Sequence, residues 1–553
     1  MKIQVFIREG SEGIRMDVPE GISLEELCRI MPEETKGIIC AKCENRFVDL
    51  TYRIHKETDV ILLDMRTQAA NLIYQNSLSF IYVRAIADLF PEARVEIMNS
   101  LNQGLYTLIR NREELTEGDV AKIEARMREL VDADLPFRRE SVSVDKAVRY
   151  LEEDGREERI KLIRSSPDIR KVFFYELAGY RDFFYGLMVP STAYVQLFDL
   201  RKYRQGVLLR FPLANEPEVM PEYVDQDKLY DAFAEQTRWE KLLGVNYVAD
   251  LNEKIEQKES RNLIQLSEAL HEKKIAQIAD RIKESGRRII LIAGPSSSGK
   301  TTFARRLAVQ LAVNGLKAVY VGTDDYFLDR KDTPLGPDGE PNYEGLDAID
   351  RALFNRQLND LLACESVDIP TFDFIEGKKV FGRRITRIGP HQSIIIEGIH
   401  ALNEALTQGV PDQQKFKIYI SPLTQLNIDI HNRIPTTDER MLRRLVRDYR
   451  SRGHSAKSTL KNWKKVRAGE DKNIFPYCGS ADVLFNSYHI YEISVLRKYA
   501  EPILREIGKD EEEYAEAERI LNMLRFFRVM EDDNPIVNNS ILREFIGGSI
   551  FVE

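Results

Sequence analysis

The sequence predicts a multidomain protein that ends in an α/β unit with a mainly parallel sheet. The chain has 553 residues, which is too long for one hydrophobic core and suggests roughly three or four units. Near its middle, the apolar run RRIILIA is typical of a buried parallel strand. The amphipathic stretch TTFARRLAVQLAVNG that follows is typical of a helix ending at Gly315.

Composition favours a folded protein of the cytoplasm. Charged residues make up 31% and hydrophobic residues 43% of the chain, which is the balance of globular proteins that bury real cores. The net charge of −9 gives no global attraction to nucleic acid or membranes. MKIQVFIREG does not have the pattern of a secretory signal, and no apolar run approaches a membrane span of about 20 residues. We therefore expect no membrane partner.

The five cysteines do not predict a disulfide framework and suit a reducing compartment. Cys40 and Cys43 form a C-x-x-C pair, but no second pair of zinc ligands follows nearby. We interpret them as two ordinary thiols in or beside a strand.

Periodicity divides the chain into four segments. Residues 1–62 read as strand, helix and strand, and residues 63–250 mix helical and strand-like runs, as α+β domains do. Residues 251–284 form a charged linker helix, and residues 285–553 form the α/β unit. The linker helix has one apolar stripe that predicts packing against a domain, with a homodimer seam as the alternative. The stripe consists of Leu263, Leu266, Leu270, Ile275, Ile278 and Ile282.

A phosphate-binding loop is predicted where GPSSSGKT follows the RRIILIA strand. The spacing fits G-x-x-x-x-G-K-[ST], and between a strand and a helix its backbone N–H groups converge on one anion. Lys300 would reach the β- and γ-phosphates of ATP, and the Thr301 hydroxyl would hold Mg²⁺. The alternative, a serine-rich turn, does not explain the flanking strand and helix. The predicted ATP-binding residues are Gly294, Pro295, Ser296, Ser297, Ser298, Gly299, Lys300, Thr301 and Thr302.

Carboxylates follow the next two predicted strands, at the edge where open α/β sheets bind ligands. Asp324 and Asp325 follow LKAVYVG, and Glu397 ends SIIIE just before a glycine. Asp324 could accept a hydroxyl proton and touch the metal, and Glu397 could hold Mg²⁺ through water. Aspartates in a turn and a glutamate as strand punctuation are the alternatives.

A run of arginines follows the third strand. DERMLRRLVRDYRSRG places Arg440, Arg443, Arg444 and Arg447 at helical spacing, so that several can share one face. Forked guanidinium groups suit the charge of a transferring phosphoryl group, which predicts a catalytic lid. A solvated helix face or an RNA contact is the alternative.

Residues from about 285 to 500 resemble the uridine kinase and phosphoribulokinase family. The likeness rests on the phosphate loop, TDDYF, PNYEGLDAIDRALF, IPTFDF, IIIEGIHAL and DERMLRRLVRD, all in family order. It implies that Asp324 is the general base and that Thr301, Asp324 and Glu397 surround Mg²⁺. It also implies that the arginine helix closes over the triphosphate and that the acceptor is the 5′-OH of a nucleoside.

The same resemblance implies acceptor contacts, with departures that concern the base. Phe372 stands where uridine-cytidine kinases carry Tyr, and Gly377 stands where they carry His, so hydrogen bonds to a pyrimidine edge are lost. Stacking of a base on Phe372 remains an expectation. The implied acceptor residues are Asp325, Tyr326, Glu344, Phe372 and Asp373.

The front half is similar to threonyl-tRNA synthetases. Residues 1–62 resemble the TGS domain, a ubiquitin-like β-grasp module, and residues 70–245 resemble the α+β editing domain that follows it there. The metal-type clusters of that editing domain are replaced by Asn76, Phe80, Phe184 and Met188. These residues cannot supply metal binding or deacylation, so we expect a retained fold without its reaction.

Two functions therefore remain. The first is an ATP- and Mg²⁺-dependent nucleoside kinase. The second is an ATP-responsive regulatory protein in which the synthetase-like half binds RNA or a nucleotide. The chain has no N-K-x-D or T-K-x-D reader of guanine, which disfavours a GTPase switch. The complete set of kinase motifs favours the enzyme.

Overall fold

The computed structural model describes residues 2–9, 12–31, 35–336, 339, 341–373 and 375–552. Its first unit is a mixed sheet of five strands in the order β2-β1-β7-β4-β5, in which β1 and β7 pair in parallel at the centre. Helix α1 begins with a capping box between Ser23 and Glu26. The elements are β1 (Lys2–Glu9), β2 (Glu12–Pro19), β3 (Ile22–Ser23), α1 (Leu24–Ile30), β4 (Ile38–Cys43), β5 (Arg46–Asp49), β6 (Arg53–Ile54) and β7 (Thr58–Asp64).

Both cysteines of the C-x-x-C pair lie in β4 as buried free thiols. Burial raises the pKa of Cys43 to about 12, and that of Cys40 is raised as well. Within the described part of the chain, no group of three or more His, Cys, Asp or Glu side chains is arranged to hold a metal. The pair therefore belongs to the apolar interior of the first unit.

The second segment contains two antiparallel sheets. One has the strand order β13-β14-β9-β8, and the other has the order β10-β11-β12. Its elements are α2 (Gln68–Leu89), β8 (Arg94–Leu101), β9 (Gly104–Arg110), α3 (Glu117–Asp132), β10 (Arg138–Ser143), α4 (Val144–Glu153), α5 (Glu157–Ser165), β11 (Lys171–Leu177), β12 (Tyr180–Phe183), β13 (Asp199–Tyr203) and β14 (Gly206–Arg210).

Three helices lead from this segment to the α/β unit: α6 (Asp227–Leu243), α7 (Val248–Glu256) and α8 (Ser260–Ser285). Four members of the predicted stripe on α8 are buried, whereas Leu270 is half-buried and Leu266 is 45% exposed. The buried face is centred on Ile264, His271 and Ile275, so Leu266 falls beyond its edge and the prediction for that residue was wrong.

The last unit is built on a five-stranded sheet in the order β16-β21-β15-β22-β23, and every neighbouring pair is parallel. This confirms the predicted parallel sheet. The elements are β15 (Ile289–Ala293), α9 (Lys300–Val313), β16 (Ala318–Gly322), α10 (Arg351–Leu362), β17 (Ser366–Asp368), β18 (Thr371–Asp373), β19 (Lys378–Val380), β20 (Ile385–Arg387), β21 (Ser393–Glu397), β22 (Lys415–Ser421), α11 (Thr436–Ser451), α12 (Ala456–Asn473), β23 (Val483–Asn486), α13 (Glu492–Arg505), α14 (Tyr514–Leu524) and α15 (Arg543–Ile546).

The largest hydrophobic core crosses the predicted boundary between the second segment and the α/β unit. It contains Val142 and Phe174 from the second segment, Ile275 and Ile282 from α8, and Ile290 from the central strand of the parallel sheet. A separate core beneath α2 and α3 joins residues of the first unit to those of the β8–β9 sheet. Apolar packing therefore runs continuously from β10 to the C-terminal helices.

Across the described residues, every helix is either too short or too polar to cross a membrane.

Candidate active site

The predicted phosphate loop lies between the central strand β15 and the first turn of α9. Gly294 is required because a Cβ at this position would overlap the carbonyl oxygen of Ile420 on β22. Gly299 has a φ of +83° and lies directly against Ile541, so it also has no room for a side chain. The loop is thus packed between the sheet and residues 540–546, called here the C-terminal segment.

Glu397 ends β21 beside the loop, as the sequence predicts. Its carboxylate accepts hydrogen bonds from the Thr301 hydroxyl at 3.1 Å and from the Tyr320 hydroxyl at 2.7 Å. Burial raises the pKa of Glu397, and the ammonium of Lys300 opposes this shift. Tyr320, on β16, was missed by the sequence reasoning because nothing in a strand pattern marks a tyrosine as a carboxylate partner.

Asp324 follows β16 in a short 3₁₀ turn and opens toward solvent. The protein atoms packed around the Asp324 carboxylate displace part of its water, which raises its pKa. The nearby Lys300 ammonium lowers this pKa, and the Asp325 carboxylate raises it. Asp324 also raises the pKa of Glu397, which places the two carboxylates and Lys300 in one electrostatic group. The carboxyl ends of β16 and β21 therefore bring together the predicted base, metal ligand and loop lysine.

Three of the predicted acceptor residues are occupied in holding the structure. Asp325 forms an ion pair with Arg384 at 2.6 Å. Tyr326 is 1% exposed, and its hydroxyl donates to Gln357 at 2.8 Å. Asp373 accepts hydrogen bonds from two backbone N–H groups of the turn that follows β18. Asp325 and Tyr326 are thus engaged by side chains of the protein, whereas both bonds to Asp373 use the same carboxylate oxygen.

Phe372 does not offer the stacking face expected from the sequence. Its ring is 5% exposed and packs edge-on against Phe327, with ring centroids 5.7 Å apart, inside the core on this side of the sheet. An apolar ring between two strands and a loop is buried by the hydrophobic effect, which the local sequence does not reveal. Gly377 has a φ of +67° and lies against the Arg330 side chain.

Among the predicted acceptor residues, Glu344 interacts electrostatically with charged groups at the phosphate loop. Burial and the neighbouring Glu470 raise its pKa to about 6, while Arg444 and Lys300 oppose the shift. The Asn473 side chain donates to the carbonyl of Glu344 at 2.8 Å and fixes this segment against α12. Glu344 is therefore the predicted acceptor contact that the structure places beside Asp324 and Lys300.

Arg440 and Arg443 support the loop from buried positions, whereas the sequence predicted lid residues. Arg440 donates to the Ser296 carbonyl at 3.1 Å and pairs with Glu470. Arg443 donates to the Ser297 carbonyl at 3.3 Å and pairs with a buried glutamate of α13 at 2.7 Å. Because both guanidinium groups are nearly inaccessible and already paired, they are not free to close over a triphosphate in this conformation.

Arg444 and Arg447 lie on the more open part of the same helix. They share the carboxylate of Asp448 with Arg452, and Arg444 also donates to the Ser296 hydroxyl at 2.8 Å. Burial and neighbouring arginines lower the pKa of Arg452 to about 10, and Asp324 is close enough to oppose this. One carboxylate, that of Asp448, thus faces three guanidinium groups. Arg452 follows the end of α11, where the helical spacing used for the prediction stops.

Two glutamates far along the chain accept hydrogen bonds from the loop region. Glu470 on α12 accepts from the backbone N–H of Ser296 at 3.1 Å. Glu544 on α15 accepts from the backbone N–H of Thr302 at 3.2 Å and from its hydroxyl at 2.7 Å. Sequence reasoning missed both because neither belongs to a motif, and only the fold brings them to the loop.

In the front half, the positions of the lost metal-type cluster form a packed apolar interior. Phe80, Phe184 and Met188 are each at most 2% exposed, and the rings of Phe80 and Phe184 lie 5.3 Å apart. The Asn76 amide donates to the Leu187 carbonyl at 3.4 Å. These contacts fill the space with side chains that have no catalytic chemistry.

The α/β unit docks on the front half through the segment between β22 and α11. The Asn427 amide donates to the Ile97 carbonyl at 3.0 Å, and the ring of His431 lies 2.7 Å from the Asp182 carboxylate. Arg159 also pairs with Asp182 and with Asp429, and all four of these charged or titratable groups are buried. This segment leads directly into the arginine helix.

Comparison with known proteins assigns the two halves to different relatives. Residues 289–494 match the model of the phosphoribulokinase / uridine kinase family. The N-terminal region is similar to threonine–tRNA ligases. The ligase of Symbiobacterium thermophilum is 30% identical over 190 residues, which are 34% of this chain and 29% of that protein. The ligase of Nitrosococcus oceani is 32% identical over 173 residues, which are 31% of this chain and 27% of that protein. The chain therefore spans less than a third of the length of these relatives.

Among solved structures, a possible uridine kinase from Bacillus stearothermophilus is similar at a TM-score of 0.26 and 21% identity. The similarity covers 38% of this chain and 97% of that one. A D-glycerate 3-kinase from Cryptococcus neoformans is similar at a TM-score of 0.22 and 14% identity, over 49% of this chain and 88% of that one.

Proposed function

We propose that this protein is a kinase that transfers the γ-phosphoryl group of ATP to a hydroxyl of a nucleoside, with the 5′-OH as acceptor. The observation that carries the proposal is the meeting of Lys300, Thr301, Asp324 and Glu397 at one edge of the parallel sheet. This set supplies a phosphate-binding lysine, a hydroxyl and two carboxylates, which phosphoryl transfer needs.

Two hydroxyl groups of the loop are available to form hydrogen bonds with a polyphosphate. Within the described residues, the buried hydroxyls of Ser297 and Ser298 have no hydrogen-bond partner. Such groups are costly to bury and are usually satisfied by a ligand, an ion or water. Arg444 also donates to the hydroxyl of the neighbouring Ser296 at 2.8 Å, which brings a guanidinium group to the loop.

The donor set also fits Mg²⁺. Proteins usually hold this ion through one or two carboxylates together with phosphate oxygens, and Thr301, Asp324 and Glu397 offer a hydroxyl and two carboxylates. These three residues would hold the ion, which when bound neutralises charge on the phosphates. The limited number of carboxylates explains why the site lacks a complete metal cage among the described residues.

In the proposed reaction the acceptor oxygen forms a bond to the γ-phosphorus while the bond to the β-phosphate oxygen breaks. ADP leaves, and the proton of the acceptor hydroxyl passes to the Asp324 carboxylate. Lys300 and the arginine cluster around Asp448 stabilise the charge on the transferring group. Arg440 and Arg443 contribute by fixing the carbonyls of Ser296 and Ser297, which preorganises the loop.

The nucleoside acceptor rests on the family likeness of residues 289–494. Glu344 supports it, because its carboxylate shares the electrostatic neighbourhood of Lys300 and Asp324 and could accept hydrogen bonds from sugar hydroxyls. The burial of Phe372 argues that the base is held by other residues.

The front half is proposed to comprise a β-grasp domain over residues 1–62 and an editing-like domain over residues 63–250, followed by the linker helix and the kinase domain. The strand order β2-β1-β7-β4-β5 supports the first assignment, and the similarity to threonine–tRNA ligases supports both. The buried Phe80, Phe184 and Met188 support a catalytically inactive editing-like domain.

A second candidate function is a nucleotide-responsive binding protein that uses its front half to bind RNA. The buried docking of residues 427–432 on the front half favours it, because nucleotide binding at the loop could be transmitted along this segment. Such a protein would bind ATP but form no product.

The decisive experiment is product analysis by mass-resolved chromatography with Mg-ATP and a panel of nucleosides, deoxynucleosides and ribulose 5-phosphate. A nucleoside monophosphate from wild-type protein, and none from Asp324→Asn, would support the kinase. Binding of ATP with no product from any acceptor would favour the second candidate, and RNA binding that weakens steeply with salt would strengthen it.

A further inference from the structure

The C-terminal segment covers the phosphate loop with a buried apolar side chain. Ile541 is fully buried, and any Cβ added to Gly299 would overlap its Cγ2 atom. Four residues later, the Phe545 ring lies 5.0 Å from the guanidinium carbon of Arg443. The segment is therefore packed on both the loop and the arginine helix that supports it.

Between these two apolar anchors, Glu544 occupies donors at the start of α9. Its carboxylate accepts hydrogen bonds from the backbone N–H and the hydroxyl of Thr302, at 3.2 and 2.7 Å. Unpaired N–H groups in the first turn of a helix are the donors that bind anions. A nucleotide phosphate seated in this loop would need the same donors, so it competes with Glu544 for them.

Glu544 differs from Glu470, the other carboxylate on the loop. Glu470 accepts from Ser296, but it also pairs with Arg440 and with Arg467, the latter at 2.8 Å, so its charge is compensated. Glu544 is 7% exposed and forms no ion pair within the described part of the chain, although it lies near enough to Arg443 and to Glu397 to raise the pKa of each. Glu544 is a nearly buried anion beside another acidic group, held by one amide and one hydroxyl.

We propose that Glu544 is a latch that occupies the phosphate donors at Thr302 and must withdraw before a nucleoside triphosphate can bind. The proposal rests on the nucleotide binding of the proposed function and adds a regulatory device to it. The apparent affinity for the nucleotide depends on how often the C-terminal segment moves away from the loop, because only protein molecules in which Glu544 has left Thr302 can bind the nucleotide. Arg450 is the tie to the arginine helix, since it donates to the Phe545 carbonyl at 3.1 Å.

The latch is tested by direct ATP binding to the full-length protein, measured by calorimetry in the presence of Mg²⁺. If the segment is closed most of the time, Glu544→Ala should bind ATP about tenfold more tightly than wild type, with Glu544→Gln changed in the same direction. Glu531→Gln is the matched control, because it removes the same charge from an exposed position in the same C-terminal region. Its affinity should equal that of wild type.

Backbone hydrogen exchange gives a second, independent readout. Adding ATP to wild-type protein should increase exchange in residues 540–546, because Glu544 leaves Thr302 when phosphate enters. Ile541→Ala, which loosens the packing on Gly299 without changing charge, should also tighten ATP binding. Thermal unfolding of each variant establishes that it is folded.

Unchanged or weaker ATP binding in folded Glu544→Ala and Ile541→Ala would overturn the latch, as would increased protection of residues 540–546 on ATP addition. Failure of ATP to bind any of the variants would overturn it as well. Tighter ATP binding by the variants without product from any acceptor would sustain the latch and count against the kinase, so the two proposals fail in distinguishable ways.

Discussion

The hydroxyl of Thr301 lies 3.1 Å from a carboxylate oxygen of Glu397, and it joins the start of α9 to the end of β21. This contact ties the phosphate loop to β21, the interior strand whose carboxyl end carries the predicted metal ligand. Both partners come from short motifs separated by almost a hundred residues. Their meeting is the geometric basis of the proposed metal site.

Glu397→Gln should lower kcat/KM by about 100-fold or more, because it removes a carboxylate that would hold the Mg²⁺ needed to neutralise the phosphates. The Mg²⁺ concentration needed for half-maximal rate should rise in parallel, and EDTA should abolish turnover of wild type. Tyr320→Phe removes only the 2.7 Å hydrogen bond that orients Glu397, so it should cost less than Glu397→Gln. Equal rates and an unchanged Mg²⁺ requirement in Glu397→Gln would remove Glu397 from the site.

Asp324→Asn should abolish transfer and leave ATP binding largely intact, because the amide cannot accept the acceptor proton. The pKa of Asp324 is raised, and the base must be ionised, so kcat/KM of wild type should fall with decreasing pH from a higher pH than an ordinary aspartate would give. Glu344, with a pKa of about 6, contributes to the same acid limb. The pH profile of Glu344→Gln separates the two groups, and an unchanged acid limb in that variant would assign the limb to Asp324.

Arg452→Ala should raise the KM for ATP about tenfold through loss of a charge-assisted contact to phosphate. The reason is its place in the three-arginine cluster around Asp448. Lys464→Ala on α12, an exposed position, is the control for loss of one positive charge. If both variants gave the same KM, Arg452 would have no specific part in nucleotide binding.

Asp182→Asn should lower the free energy of unfolding by about 3 kcal/mol, because the buried Arg159 then keeps only Asp429 as a charged partner. The pKa of Asp182 is lowered in the folded state, mainly by Arg159 and His431, against the effect of burial. Its stabilisation is therefore present above the ordinary aspartate pKa and is lost as the pH falls through the lowered value. Denaturant titrations at several pH values measure this, with exposed Asp132→Asn as the control.

Glu240→Gln should stabilise the protein at neutral pH by about 1–3 kcal/mol. Glu240 is 6% exposed, and its Oε1 has no hydrogen-bond partner among the described residues, so burial raises its pKa well above the ordinary value. The free energy of unfolding of the wild-type protein falls as the pH rises above the ordinary glutamate pKa, because Glu240 loses its proton at a lower pH in the unfolded chain than in the folded one. The difference between variant and wild type should therefore shrink at acidic pH. Glu222→Gln at an exposed position should show no such trend.

The features that local sequence determines were predictable. Alternating or continuous apolar runs predicted the parallel sheet, and the loop glycines and strand-end carboxylates predicted the residues that meet beside Lys300. These signals work because parallel strands align their carboxyl ends at one sheet edge.

The features that depend on distant packing were not predictable from spacing. Helical periodicity placed Arg440 and Arg443 on one face, but their burial follows from glutamates on α12 and α13 that no local pattern links to them. The PTFDF motif predicted that Phe372 stacks on a base, whereas its ring packs against Phe327 in the hydrophobic core. Glu544 reaches Thr302 across more than two hundred residues of chain.

The shared core of β10–β12, α8 and the parallel sheet limits how modular this chain is. A truncation that begins at residue 285 would remove Ile275, Ile278 and Ile282, which pack in the core shared with the sheet. It would expose an apolar surface to water. Such a fragment should aggregate, and the intact chain should melt across that boundary in one cooperative step. The packing across this boundary therefore predicts that the synthetase-like half and the α/β unit unfold together.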